Sequence, residues 1–271
     1  FQAEDGIRDR SPSRGLGDVY KRQGKFMSTK TKKGVALIVG AGDATGGAIA
    51  KRFAKEGFQV VVTRRKIESL DNLSQEIMMM GGTVHPFGVD ARREEDVVPF
   101  IEKIERNIGP IEVAVYNVGG NVRFGIHETT SRVFFKVWEM CCFGGFLMGR
   151  EVSRAMCERK RGTIFFTGAT ASVRGGKGFS AFASGKHGLR ALAQSMAREL
   201  GPKGIHVGHV VIDGAIDTEW IKKMFPDRYA QKENDGILDP SAIAEAYWNM
   251  HCQPRNAWSF EIDLRPWVEH W

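Results

Sequence analysis

The chain has 271 residues, 42% of them hydrophobic and 26% charged, and its 39 Lys and Arg against 32 Asp and Glu give a formal charge of +7. No helix-turn-helix, finger or stacking motif accompanies that modest excess. The sequence therefore points away from nucleic-acid binding and toward a solvated basic surface, which also suits an anionic phosphorylated cofactor. No apolar run approaches the roughly 20 residues that span a bilayer, so no membrane partner is expected.

Residues 1–26 are polar, aperiodic and rich in Gly, Arg and Asp, which predicts a disordered segment that buries too little to order itself. The strings QAEDGIRDR and GLGDVYKRQ look like translated sequencing-adapter sequence, so this stretch is read as a non-native leader with Met27 as the expected start. It carries six basic and four acidic residues, which leaves +5 on the 245 residues that follow. Residues 27–271 suit one large α/β domain. Cys141, Cys142, Cys157 and Cys252 show no C-x-x-C spacing and no metal-ligand pattern with histidine. That predicts a reduced, cytoplasmic protein without a metal site.

From Val35 onward strand-like and helix-like segments alternate, the pattern of a parallel sheet covered on both faces. A continuous apolar run at 35–39 leads through a glycine-rich turn into an alanine-rich helix that ends before Gly57. FQVVVT at 58–63 is the second expected strand, 66–80 a helix closed by Gly81 and Gly82, and TVHPFGVD at 83–90 the third strand. A helix over 94–107, closed by Gly109 and Pro110, precedes a fourth strand and its loop at 111–120. One long helix is expected over 130–158, then a strand at 162–170, a helix at 180–200 and a strand at 205–214. An irregular lobe at about 214–239, a helix at 240–250 and a strand near 259–266 finish the chain.

The turn after the first strand holds Gly40, Gly42, Gly46 and Gly47, a spacing that does not spell G-x-G-x-x-G. A buried strand that runs through glycines into a helix still presents backbone N–H groups and a positive dipole end to a phosphate. Gly40, Gly42, Asp43, Thr45 and Gly46 are the residues expected to face it. The second strand ends in Thr63, Arg64 and Arg65, where an NAD site usually places a carboxylate for the ribose hydroxyls. Arginines there can hold a 2′-phosphate, which favours NADP(H) over NAD(H). Asp43 argues the other way if its carboxylate points inward.

The pattern from Gly40 to Gly46 resembles the G-x-x-x-G-x-G turn of the short-chain dehydrogenase/reductase family, with Ala44 where the middle glycine belongs. Asp90 lies where that family keeps an aspartate beside the adenine. YNVGGN at 116–121 resembles its N-N-A-G segment, retaining Asn117 and Gly119. Thr218, after VIDGAID, resembles the threonine of P-G-x-x-x-T, with Asp213 in place of proline. The resemblance runs over almost all of 35–266. It implies a Rossmann-type doubly wound parallel sheet of about seven strands, a bound nicotinamide dinucleotide, a small-molecule substrate, and a homodimer or homotetramer formed through the helices at 130–158 and 180–200.

The family's catalytic residues are another matter. Its Y-x-x-x-K reads FASGK at 182–186, so Lys186 is retained and Phe182 replaces the tyrosine. Ala169 stands at the serine position and Cys141 at the asparagine position. Lys186 can still donate to the nicotinamide ribose. Thr170, one residue from the serine position, and Tyr116, at a strand end on the ligand side, are substitute hydroxyls, each more readily explained as structural. Trp220, Phe225 and Tyr229 are expected to line an apolar substrate pocket. Two readings follow: an NADP(H)-dependent oxidoreductase with a non-standard site that reduces an activated C=C, C=N or carbonyl group, or a non-catalytic NADP(H)-binding sensor or inactive subunit.

Overall fold

The computed structural model describes residues 33–270; the expected leader, 1–26, and Met27 lie outside the described residues. Seven strands form one wholly parallel sheet: β1 (Lys33–Val39), β2 (Phe58–Arg64), β3 (Thr83–Gly88), β4 (Ile111–Tyr116), β5 (Gly162–Thr167), β6 (Ile205–Ile212) and β7 (Glu261–Leu264). Their order in the sheet is β3-β2-β1-β4-β5-β6-β7. The chain winds outward from β1 to one edge, returns, and winds to the other. The reversal falls between β1 and β4, so their carboxyl ends open a crevice at the topological switch point.

The sheet is buried on both faces, which is why β1 reads as an unbroken apolar run rather than an alternating one. Val35, Leu37 and Val39 face one core with α3 (Glu94–Asn107), α5 (Gly144–Arg159) and α6 (Ser180–Leu200). Ala36 and Ile38 face the other, with α1 (Thr45–Lys55), α2 (Asp71–Met79) and α9 (Pro240–His251). A fully buried side chain of this kind contributes roughly 1.5–3 kcal/mol through burial. On α1, Ile49, Ala50, Phe53 and Ala54 recur at helical spacing and are all buried. Phe53 meets Trp248 of α9 edge to face at 5.5 Å.

Three expected elements differ from the structure. The helix expected over 66–80 starts as a 3-10 turn at Ile67–Leu70 and becomes α-helical only at Asp71. The tight turn sinks Leu70 into the core, and Arg64 donates to the Ser69 carbonyl at 3.3 Å. The single helix expected over 130–158 is α4 (Ser131–Trp138), a π turn at Glu139–Phe143, then α5. Inside that wider turn the Met140 carbonyl accepts from the Tyr116 hydroxyl at 2.6 Å. π turns of this kind are frequent at functional sites, and this one carries Cys141. The lobe expected to be irregular holds α7 (Glu219–Met224), α8 (Pro226–Ala230) and a 3-10 turn at Gln231–Asn234. Thr218 caps the first of these, and Pro226 starts the second.

No described helix is long and apolar enough to cross a membrane. Among the described residues no group of three or more His, Cys, Asp or Glu could hold a metal ion.

Candidate nucleotide cleft and active site

Three strand ends converge at the crevice, since Val39 pairs with Thr63 on one side and with Tyr116 on the other. The turn after β1 is held there by Gly40 and Ala41, whose N–H groups both donate to the Thr63 carbonyl at 3.1 Å. Gly40 has φ +85°, a conformation glycine adopts without the cost a side chain brings. Asn117 closes the turn from β4, its backbone N–H on Val39 O at 2.8 Å and its side-chain amide on Gly40 O at 3.0 Å. The side chain of Asn117 is thus committed to shaping the turn.

No side chain caps α1 at Ala44 and no acidic residue occupies its first turn. Gly47 N–H, in its first turn, donates to Gly42 O at 2.8 Å, so the helix dipole and the N–H groups of Thr45 and Gly46 are what the turn leaves for an anion. A Cβ on Gly42 would meet nothing within 4 Å, so the backbone there borders open space. A cleft of about 260 Å³ follows, walled by Gly40, Gly42, Arg64, Arg65, Asp90, Arg92, Asn117 and Gly119 among others. Thr45 and Gly46 are buried behind it and are not among its wall residues. Gly46 allows α1 to press against the turn. These features fit a dinucleotide phosphate: bare backbone, an uncapped helix start and cationic walls.

The charges at the Arg64 and Asp90 end of the cleft are partly paired. Asp43, an exposed side chain, lies 3.5 Å from Arg64 instead of pointing into the cleft. Asp90 is gripped by Arg92 through two hydrogen bonds of 2.9 and 2.5 Å. That guanidinium holds the Asp90 carboxyl below the usual carboxylate range. Arg65 is exposed and, among the described residues, has no carboxylate at ion-pair distance. Arg92 was not among the expected site residues; its place two positions after Asp90, in Asp-x-Arg, is the available signal.

At the other end of the cleft the Lys186 side chain is buried, and its ammonium donates to Thr167 O at 2.8 Å and to Val118 O at 3.2 Å. Burial pulls its pKa down. An ammonium has three donors, so one remains after these two carbonyls are served. The Phe182 ring centroid is 6.0 Å from Nζ, and a Cβ on Gly119 would touch both side chains at 3.7–3.8 Å. Lys186, Phe182 and the cleft loop therefore meet at one point. Cys141 is fully buried in the π turn, where burial pushes its thiol up. A Cβ on Gly185 would lie 2.7 Å from the Cys141 Cβ, so the site has room for only a small residue.

Tyr116 is corrected by the structure. It is fully buried, its hydroxyl donates to Met140 O, and burial raises its pKa well above that of an ordinary phenol. It supplies no proton to a ligand. Thr218 uses its hydroxyl to accept from Ile221 N at 3.1 Å as the N-cap of α7, and it is absent from the cleft wall. The expected aromatic pocket is also displaced. Trp220 and Phe225 are half exposed and meet each other edge to face at 5.5 Å, and Tyr229 lies between Lys222 and Lys232. A separate cavity of about 450 Å³ is lined instead by Ala169, Thr170, Phe179, Phe182, Ile212 and Ile216, with Asn121 and Arg174 on its wall. Phe182 thus borders both the Lys186 point and this cavity.

A family model described as short chain dehydrogenase matches residues 34–229. A solved short-chain dehydrogenase from Rhodopseudomonas palustris is 48% identical, has a TM-score of 0.75, and the match covers 86% of this chain and 99% of that one. A short-chain dehydrogenase/reductase from Armillaria gallica is 32% identical over 186 residues, 67% of this chain and 71% of its own. A metagenomic short-chain oxidoreductase in complex with NADP matches in fold, with 24% identity, a TM-score of 0.75, and coverage of 86% and 97%. The chain belongs to the short-chain dehydrogenase/reductase family of oxidoreductases.

Proposed function

We propose that the protein is an NADP(H)-dependent oxidoreductase with a non-standard active site, acting on a small molecule with an activated C=C, C=N or carbonyl group. The observation that carries this reading is the buried Lys186 ammonium, fixed by two backbone carbonyls behind Val118 and Gly119 of the cleft wall and beside Phe182 of the apolar cavity. When bound, the nicotinamide supplies or accepts hydride. The chain's own residues orient the cofactor through Lys186 and the glycine turn, and Phe182 with its apolar neighbours excludes water. The alternative, a non-catalytic NADP(H) sensor or inactive subunit, draws on Phe182, Ala169 and Cys141 together, since none offers a hydroxyl or amide. Cofactor oxidation with a panel of carbonyls, enones and imines separates the two readings.

The preference for NADP(H) rests on Arg65, which lines the cleft and, among the described residues, makes no ion pair within 4 Å, Asp90 being the nearby carboxylate that feels its charge. Arg65→Ala is expected to weaken NADPH binding about 10- to 100-fold, as loss of a charge-assisted contact does, and to leave NADH binding within about twofold. Titration of both nucleotides by fluorescence reads this directly. Equal loss for both cofactors would remove the 2′-phosphate role.

A homo-oligomer is proposed from the outer face of α4 and α5. Phe135, Trp138, Phe143 and Phe146 form a ladder of stacked rings 6.1–6.2 Å apart along it, with Phe135 57% exposed. An exposed aromatic row of this kind marks an association surface. Sedimentation velocity is expected to show a dimer or tetramer at micromolar concentration; a monomer there refutes it.

A further inference from the structure

Residues 265–270, which follow β7, run back past the root of the lobe. Pro266 lies against Gly214, just after β6: a Cβ on Gly214 would be 2.7 Å from Pro266 Cδ, and its φ of +150° also favours glycine. Gly214, Ile216 and Arg174 all line the apolar cavity. Arg174 reaches the same segment, its Nη1 donating to His270 O at 3.2 Å and its Nη2 lying 3.8 Å from Glu269 Oε1.

The lobe has little else to hold it. α7, α8 and the 3-10 turn after them bury none of their own residues. The two ends of the lobe are tied to each other, by Asp217 N on Leu238 O at 2.9 Å and Leu238 N on Ala215 O at 2.8 Å. Among the described residues, the side-chain hydrogen bonds and ion pairs that leave 217–237 go to residues 265–270: Trp267 Nε1 donates to Asn234 O at 2.9 Å, and Arg228 donates to Glu269 Oε2. One carboxylate therefore serves both sides, with Oε2 on Arg228 of the lobe and Oε1 toward Arg174 of the cavity wall.

We propose that residues 265–270 are a strap that fastens the lobe to the cavity wall, with Glu269 as its clasp, so that the cavity opens when the clasp releases. Helices of six and five residues that bury nothing are not stable by themselves. A released lobe therefore loosens as a unit and uncovers the wall at Ile216, its root. The charges suit a reversible fastening. The Arg228 and Arg174 side chains are each 42% exposed, so solvent and salt screen their pairing with Glu269 and keep it weak enough to break.

Hydrogen–deuterium exchange on the full chain tests the clasp. Glu269→Gln and Arg228→Met are each expected to speed amide exchange within 219–236 about fivefold, and the double variant no more than Glu269→Gln alone, because both remove one interaction. Exchange in β1 and β5 and the melting temperature should stay as in the wild type. Trp267→Phe, which keeps a ring and loses the donor, should give about twofold, and the wild type in about 0.5 M sodium chloride should move the same way. Access is read separately. Ile216→Cys puts a thiol on the cavity wall, and its alkylation by N-ethylmaleimide, followed by peptide mass, should run about fivefold faster once Glu269→Gln is added. Wild-type exchange in both single variants, or additive effects in the double, overturns the clasp. Faster exchange throughout the sheet overturns it too, since Glu269 would then serve the whole fold, and unchanged alkylation beside a loosened lobe overturns its control of the cavity. Neither measurement uses a nucleotide, so the outcome is independent of the cofactor reading.

Discussion

Replacing Gly46 by alanine is expected to lower the melting temperature by about 6–12 °C and to remove NADPH binding. A Cβ at Gly46 would press on the Gly40 carbonyl oxygen, lie 2.8 Å from Ala41 Cα and 2.9 Å from Asn117 Nδ2. Two of these are backbone, and the third is held by its own hydrogen bond to Gly40 O. None can move without opening the turn, so overpacking costs about 3 kcal/mol. At about 2–4 °C per kcal/mol for a domain of this size, the stated range follows. Gly42→Ala is the control: its Cβ would meet nothing within 4 Å, and a shift under about 2 °C is expected. Equal melting temperatures for the two variants would mean that α1 does not rest on Gly40 as described.

The same contrast explains how much of this molecule was legible in its sequence. Burial on both faces makes the middles of β1, β2 and β4 continuous apolar runs, at 35–39, 60–62 and 113–116, and glycines punctuate the helix ends, so the strand and helix order and the parallel sheet follow from pattern alone. The expected helices over 94–107 and 180–200 have the bounds of α3 and α6. The π turn was not legible, because Glu139–Phe143 is as helix-compatible as its flanks. Its cause is tertiary: Gly144 packs against the Tyr116 hydroxyl, which takes the Met140 carbonyl. The 3-10 start of the α2 region has a similar origin, in the burial of Leu70 against the sheet.

For the site, residue type located the cleft better than it assigned roles. Asn117 and Gly46 lie at the turn yet act on the protein's own backbone, and which partner a side chain takes depends on distances that spacing does not encode. The cavity wall was least legible. Thr170, Arg174 and Asp213 are drawn from the segment after β5 and the end of β6, and Glu269 from beyond β7. Only the pairing of β5 with β6 and of β6 with β7 brings them together. A second, partly buried network, Arg190 on Glu261 and Glu261 on the buried His209, is equally long-range. Burial pulls His209 down to about 4, so it stays neutral near neutral pH despite its carboxylate neighbour.

Phe182→Tyr combined with Ala169→Ser is expected to raise NADPH-dependent carbonyl reduction at least about 100-fold over the parent, within the range that a positioned general acid supplies. The Lys186 ammonium already lies 6.0 Å from the ring centre at 182 and is held in place by Val118 O and Thr167 O. A phenol added to that ring gains a cationic neighbour, which lowers its pKa and eases proton transfer near neutral pH. The serine at 169 would supply a second donor on the wall shared with Thr170. Because the new acid must be protonated to act, reduction should fall as pH rises through its pKa. Adding Lys186→Met should erase both the gain and that pH dependence, since the ammonium is what tunes the phenol. A double variant that binds NADPH, keeps its melting temperature and still reduces nothing would mean that the cavity does not present a carbonyl to the cofactor. The apolar ring at 182 would then be a closure of the pocket, as the sensor reading requires.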